Sequence, residues 1–372
     1  MRQILLLSLV GTLILGTGLA ELEPASVEHV VVYKEEGRFA GWPANHGIWS
    51  WGDEIAVGFE IGYFRQTERG HAIDYTKPAQ HAIARSLDGG KSWNIEVPEG
   101  LRVPEGLEIA GVPAGEGGRQ PVEAPGGIPF ADPGFALTAR MADIHIGPSR
   151  FYYSTDRART WQGPFKLPDF GQPGIAARTD YLVDGPETMT MFLTAAKSNR
   201  LEGRVICVRT MDGGGSWEMV SFVGPEPADD DYAIMPSTVR ISDREFYTTV
   251  RHRGWIEGFR SIDNGASWIS EGNVADAGRG NPPSLVKMKD GRLAMVYGYR
   301  KEPYGIRAKI SSDNGKTWGE ETVLRDDGGN WDLGYPRTVQ RPDGKLVSVY
   351  YYNEDPNGER YIGGTIWTPP SR

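Results

Sequence analysis

Short runs of alternating apolar and polar residues fill the chain, separated by Gly, Asp, Asn and Pro, the pattern of strands joined by tight turns. Pro236-Ser-Thr-Val-Arg-Ile-Ser-Asp243-Arg-Glu-Phe-Tyr, Pro283-Ser-Leu-Val-Lys-Met-Lys-Asp290-Gly-Arg-Leu-Ala and Pro336-Arg-Thr-Val-Gln-Arg-Pro-Asp343-Gly-Lys-Leu-Val follow one plan. Each reads as a strand, an Asp-containing turn and a second strand, and a looser copy runs from Pro43 to Phe59. No segment carries the helical spacing of a long amphipathic helix. The pattern predicts an all-β protein.

A second repeat sets the architecture. Ser86-Leu-Asp88-Gly-Gly90-Lys-Ser92-Trp93 returns as Ser154-Thr-Asp156-Arg-Ala158-Arg-Thr160-Trp161 and Thr210-Met-Asp212-Gly-Gly214-Gly-Ser216-Trp217. Two further copies are Ser261-Ile-Asp263-Asn-Gly265-Ala-Ser267-Trp268 and Ser311-Ser-Asp313-Asn-Gly315-Lys-Thr317-Trp318. Asp accepts hydrogen bonds from the backbone of its own turn, Gly supplies the positive φ, and Trp covers the bend. Only Ala158 breaks the pattern. The Asp positions are spaced 68, 56, 51 and 50 residues apart, and about fifty residues is the content of one four-stranded blade. Five boxed blades and a sixth without a box, from about 330 to 368, predict a six-bladed β-propeller of four-stranded antiparallel blades. Val27 to Tyr33 would close the ring as an N-terminal strand, and Gly100 to Gly127 is an insertion that lengthens the first step.

Composition narrows the setting. Among 372 residues, five of the 11 Trp close the boxes and much of the 49 Gly sits in the turns. A net charge of −9 argues against a nucleic-acid binder, and the single Cys207 excludes a disulfide framework. Arg2, the apolar run Ile4 to Leu15 and Gly18-Leu19-Ala20 predict a secretory signal cleaved after Ala20, which makes the mature chain, 21–372, one exported propeller domain without a membrane span. The six His show no HExxH and no paired spacing with acids, so neither metal nor cofactor is expected.

Blade geometry then sorts the candidate chemistry. The boxes lie at C–D turns, on the rim away from the starts of the innermost A strands. Those starts and the ends of the B strands surround the central depression, the usual ligand position in radial folds. They supply Trp42-Pro43-Ala-Asn45-His46 and Glu60 in blade one, and Arg178-Thr-Asp180-Tyr181 in blade three. Blades four and five supply Met235-Pro236, Arg251-His252-Arg253, Asn281 and Tyr299-Arg300. Blade six supplies Asp332-Leu-Gly334-Tyr335-Pro336-Arg337 and Tyr352-Asn353. Arg251 and Arg253, two apart, are expected to point the same way, with Arg253 level with Arg300. An arginine cluster in an acidic protein points to an anionic ligand, because guanidinium groups hold carboxylates in bidentate fashion.

These residues resemble the sialidase (neuraminidase) family, six-bladed propellers with the same boxes. Val57-Gly-Phe-Glu60 looks like that family's acidic segment in the first blade. Asp74 falls near the place of its acid/base aspartate, and Gly334-Tyr335-Pro-Arg-Thr-Val resembles the segment carrying its nucleophilic tyrosine. Arg251 matches the second member of its carboxylate-binding triad, and Arg300 or Arg307 the third. Where the family has its first arginine this chain has Gly41-Trp42-Pro43, with Arg38 the nearest stand-in. Near Met235, where the family's tyrosine-activating glutamate belongs, there is no acid; Asp231 and Asp332 are the alternatives. The resemblance implies an exo-acting hydrolase that releases a terminal sialic or related acidic sugar. Its site would comprise Tyr335, Asp74 and Glu60 as catalytic groups. Arg251, Arg253, Arg300, Arg307, Arg337, Arg38, Trp42, His46, Arg178 and Asp180 would bind substrate. The competing expectations are a uronic-acid polysaccharide lyase or other glycosidase on the same propeller, using Tyr335 with His46 or His252, and a non-catalytic propeller that binds glycans or partner proteins.

Overall fold

The computed structural model describes Pro24 and residues 26–371, apart from 69, 110, 111, 114 and 116. The predicted signal segment lies outside the described residues. Six antiparallel sheets form the blades of a propeller. Blade four shows the plain form, with strands Ile234–Arg240, Phe246–Arg251, Trp255–Ser261 and Ile269–Asp276 paired in chain order. Blade five repeats it from Ser284–Lys287 to Thr322–Gly328. Blade six comprises Gly334–Gln340, Leu346–Tyr352 and Tyr361–Thr368, and its outer strand is Ser26–Tyr33 from the other end of the chain, paired Val30 to Gly364. The expected N-terminal closure is therefore present, and it covers what would be an open sheet edge.

Three blades depart from the regular form. Blade two has three described strands, Ala136–Met141, Ser149–Ser154 and Gln162–Lys166, with no inner strand in its ladder. In blade one the inner strand is divided into Arg38–Gly41 and Ile48–Trp51 by the single helical turn Pro43–His46. In blade three it is divided into Ile175–Ala176 and Tyr181–Val183. Alternation along a strand predicts paired strands but not these interruptions, because both segments also bond to neighbouring blades. Thr179 N–H, for example, donates to the Asn45 carbonyl at 3.2 Å.

The boxes are hairpin turns at the C–D connections, as their sequence predicts. In the first, Ser92 N–H and Oγ donate to the two Asp88 carboxylate oxygens at 2.9 and 2.6 Å, while Gly90 N–H donates to Ser86 Oγ at 2.8 Å. Both central residues are left-handed in every copy, from Gly89 and Gly90 (φ 72° and 90°) to Asn314 and Gly315 (φ 62° and 90°). Ala158 takes φ 61° in the box that lacks Gly. The tryptophans do more than cover their own turns. Trp161, Trp217, Trp268 and Trp318 pack on Trp49, Phe151, Phe192 and Tyr247 of the preceding blade, with centroids 5.5 to 6.2 Å apart. The first, Trp93, packs with Val347 of blade six. Each box thus fastens one sheet to its neighbour.

On the opposite rim an X-Pro step with a left-handed first residue stands near the start of two inner strands, at Met235 (φ 52°) and Tyr335 (φ 51°), and at the break in blade one's inner strand, at Trp42 (φ 62°). In blades four and six the ladder skips from Ile234 to Ser237 and from Gly334 to Arg337 at this point. A bulky residue at positive φ is costly and persists only where its surroundings hold it, which is common at functional sites. The bulge takes Tyr335 out of the strand alternation.

Candidate active site

Tyr335 stands at the wall of a cavity of about 250 Å³ on that rim. Its backbone is pinned from blade five: Tyr335 N–H donates to Asn281 Oδ1 at 3.0 Å, and Asn281 Nδ2 donates to the Leu333 carbonyl at 3.0 Å. Gly334 (φ 104°) is needed here, because a Cβ would lie 2.4 Å from Asn281 Nδ2. Arg251 Nη1 donates to the Tyr335 phenol oxygen at 2.8 Å, and Arg251 Nη2 to Tyr232 Oη at 3.3 Å. Arg300 lies under the ring, 5.3 Å from its centroid, with Nε and Nη2 donating to the Leu333 carbonyl. Burial pushes the phenol up, but the guanidinium groups of Arg251, Arg300 and Arg178 outweigh it and bring Tyr335 below its ordinary 10.0.

Arg178 and Glu202 line the same cavity as an ion pair, with Arg178 Nη2 on Glu202 Oε1. Trp42, Tyr75 and His71 also line the cavity, the last two from the loop after blade one's second strand. The His71 ring lies 6.4 Å from that of Tyr335, edge to face. His71 Nδ1 and Asp332 Oδ1 are 2.5 Å apart, and Asp332 also accepts from Ala72 N–H, Tyr351 Oη and Arg360 Nε. Burial raises Asp332, but His71, Arg360 and the amide hold its carboxyl well below the usual range.

The sequence-predicted residues divide by position. Tyr335, Arg251, Arg178 and Trp42 line the cavity. Arg300 is buried behind Tyr335. Arg253 does not converge with it: it lies beyond the strand end at Arg251, where alternation no longer governs direction, and pairs in the exposed rim with Asp230 and Asp231. Asp231 is therefore engaged away from Tyr335. Arg307 turns outward, donating to the Arg325 carbonyl and pairing with Glu321 at 3.2 Å. Arg38 lies over the Tyr63 ring at 4.1 Å. Asp74 accepts from Thr76 Oγ1 and N–H at 2.6 and 3.0 Å, which hold its carboxyl below the ordinary range.

A second cavity of about 280 Å³ lies along the axis and is lined by Asp180 and Arg337, not by Tyr335. Arg337 there donates to the Ala44 and Thr179 carbonyls, and Asp180 accepts from Thr238 Oγ1 at 2.8 Å. Burial, opposed by Arg337 and Thr238, pushes Asp180 up to about 7. His46 and Glu60 are buried together at 3.2 Å, with the His81 ring edge-on to His46 at 5.1 Å. The three side chains offer ligand atoms within 4.8 Å of one another, an arrangement that could hold a metal ion. His81 reaches Glu60 across the strand ladder, so linear spacing could not reveal the group. Arg140 and Arg150 bear on Glu60 and His81, and their positive charge works against a cation. His252 is paired with Glu257 at 2.8 Å and stacked on Trp255. The residues that sequence reasoning missed, His71, Tyr75, Glu202 and Tyr232, come from loops and a third strand. The one available signal was the His71-Ala-Ile-Asp74 loop itself.

A six-bladed propeller with Asp boxes, and a tyrosine–arginine cavity at the opposite rim, defines a sialidase-like scaffold. The BNR repeat-like domain model matches residues 138–348, and the chain belongs to that family. It is similar to a sialidase of Bacteroides fragilis, 23% identical over 82% of this chain, and the alignment spans 62% of that relative's length. Among solved structures it resembles a protein of unknown function from Dyadobacter fermentans, with TM-score 0.69, 21% identity and 92% and 99% of the two chains covered. It also resembles the α-L-arabinofuranosidase of Fusarium graminearum, with TM-score 0.57, 13% identity and 91% and 97% covered. No helix among the described residues is long and apolar enough to cross a membrane.

Proposed function

We propose that this protein is a secreted, exo-acting glycoside hydrolase of the sialidase type that releases a terminal sialic or related acidic sugar. The observation that carries the proposal is the Arg251–Tyr335 hydrogen bond of 2.8 Å at the wall of the cavity. A sialic acid bears a carboxylate on its anomeric carbon, so a carboxylate nucleophile would meet like charge; a tyrosine avoids that repulsion. Tyr335 attacks the anomeric carbon as the phenolate that Arg251, Arg300 and Arg178 stabilise. Arg178 and Arg251, which line the cavity, receive the substrate carboxylate. A neutral sugar such as an arabinofuranoside needs no such guanidinium pair, which favours the acidic substrate over the activity named for the Fusarium enzyme. Export rests on the composition of residues 1–20.

Release of fluorophore from a 4-methylumbelliferyl α-sialoside by purified protein tests the proposal, with Tyr335→Phe as control. Absence of release defeats the sialidase assignment; unchanged release by the variant defeats the role of Tyr335. The edge-to-face contact of His71 with Tyr335 at the cavity wall favours a uronic-acid lyase as the second reading. Elimination would create an unsaturated sugar with new absorbance near 235 nm. Silence in both assays with glycan binding retained would favour a binding propeller.

A further inference from the structure

We propose that His71, held by Asp332, is the proton donor and acceptor of this site, in the place where the sialidase resemblance puts Asp74. The inference rests on the hydrolase assignment above and adds the residue that completes its chemistry.

Four observations converge on His71. Its ring lines the cavity that Tyr335 lines, and the two rings stand edge to face at 6.4 Å. Its orientation is set by aromatic neighbours: Trp42 at 5.1 Å, Trp331 at 5.7 Å and Tyr351 at 6.3 Å. Its Nδ1 is taken by Asp332 Oδ1 at 2.5 Å. An ionised carboxylate only accepts hydrogen bonds, so Nδ1 carries a proton and Nε2 is the ring nitrogen left to exchange one with the cavity. Asp332 is in turn immobilised by Arg360 Nε at 3.0 Å, Ala72 N–H at 3.0 Å and Tyr351 Oη at 2.9 Å. A buried carboxylate with this many donors orients the imidazole and fixes its tautomer, the role such a residue plays behind a catalytic histidine.

The connection to Tyr335 is covalent as well as spatial. Asp332 precedes Tyr335 by three residues, and Arg300 grips the segment between them by donating to the Leu333 carbonyl and to Tyr351 Oη at 2.8 Å. One short stretch of blade six therefore positions the nucleophile directly and the imidazole through Asp332. Asp74, by contrast, is not among the residues lining the cavity and spends Oδ1 on Thr76, whose bonds favour its ionised form.

In the first step Tyr335 Oη, as phenolate, forms a bond to the anomeric carbon while the bond from that carbon to the leaving oxygen breaks. His71 Nε2 delivers its proton to that oxygen. In the second step a water oxygen bonds to the anomeric carbon, His71 Nε2 takes the water proton, and the phenolate leaves. The sum is hydrolysis, with enzyme and proton count restored.

The test compares leaving groups. Wild type, His71→Ala, Asp332→Asn and Asp74→Asn are assayed on sialyllactose, whose leaving sugar needs protonation, and on the 4-methylumbelliferyl sialoside, whose leaving phenol needs little. His71→Ala is expected to lose about 100-fold or more in kcat/KM on sialyllactose and less than about tenfold on the aryl glycoside. Added azide, which attacks without a base, should accelerate the aryl reaction of His71→Ala and yield a glycosyl azide. Asp332→Asn, a positioning change, should show the same selectivity to a smaller degree. Equal losses on both substrates without an azide product, or selective loss in Asp74→Asn instead, would overturn the assignment. If wild type ignores sialosides but cleaves another aryl glycoside, the sialic-acid reading fails, and the same comparison on that glycoside decides His71. Inactivity on every glycoside overturns both.

Discussion

Arg251 and Tyr335, eighty-four residues apart and on different blades, share a hydrogen bond of 2.8 Å that makes a buried phenol easier, not harder, to ionise. Burial alone would do the reverse. The sign is decided by the hydrogen bond from Arg251 together with the positive charges of Arg300 and Arg178 nearby, and neither partner acquires its role from its own strand.

Titration of the phenol follows from this pair. Tyrosinate absorbance, taken as wild type minus Tyr335→Phe, should show one phenol with a midpoint below 10.0. Arg251→Gln should move that midpoint upward, because it removes both the nearest charge and the hydrogen bond. A midpoint at or above 10.0 in wild type would contradict the electrostatic account.

The two arginines that flank His252 should behave differently despite their spacing. Arg251→Ala should lower kcat/KM on an acidic glycoside by about 100-fold, a loss of roughly 2.7 kcal/mol in transition-state stabilisation. Arg253→Ala, which severs only the exposed pairs with Asp230 and Asp231, should change it less than about twofold. Equal losses would place Arg253 back in the site.

Box glycines should differ in their tolerance of a methyl group. At Gly315 (φ 90°) a Cβ would meet the Tyr247 ring at 2.6 Å, so Gly315→Ala should destabilise by about 2–4 kcal/mol. At Gly214 the nearest atom is Ile128 Cδ1 at 3.3 Å, and Gly214→Ala should cost about 1 kcal/mol, mostly for the left-handed backbone. Box two already carries such an alanine, Ala158, buried beside Trp49 and Trp161. Urea unfolding of the two variants makes the comparison.

Asp180 gives stability a pH dependence. The folded chain holds its proton to about 7, whereas an ordinary Asp releases it near 3.8, so the folded state binds the extra proton between those values. That contribution is complete below pH 3.8 and lost as pH rises through about 7. Asp180→Asn should therefore flatten the part of the urea-midpoint profile that falls between about pH 4 and 7. An unchanged slope would show that Asp180 is already ionised within the folded protein.

Local physics accounts for the parts that were legible in advance. A Ser–Asp–Gly–Trp turn repeats because the same short-range bonds recur, from Ser86–Asp88 to Ser311–Asp313, and period-two alternation implies sheets regardless of neighbours. Tyr335, Arg251 and Trp42 were locatable because blade geometry puts the strand starts and second-strand ends on one rim. Direction was harder to read. Arg337 is two residues from Tyr335 yet serves the axial cavity, because the left-handed bulge at Tyr335 breaks the alternation that would align them.

The sequence by itself determined the blades, their number and the rim that carries the chemistry, since each follows from contacts within about fifty residues. Only the tertiary structure decided which ionisable groups face the cavity. It joined His71 of blade one to Asp332 of blade six and Arg178 of blade three to the electrostatics of Tyr335. Those partnerships join residues of different blades, and residues outside the regular strands carry no periodic signal that would announce them.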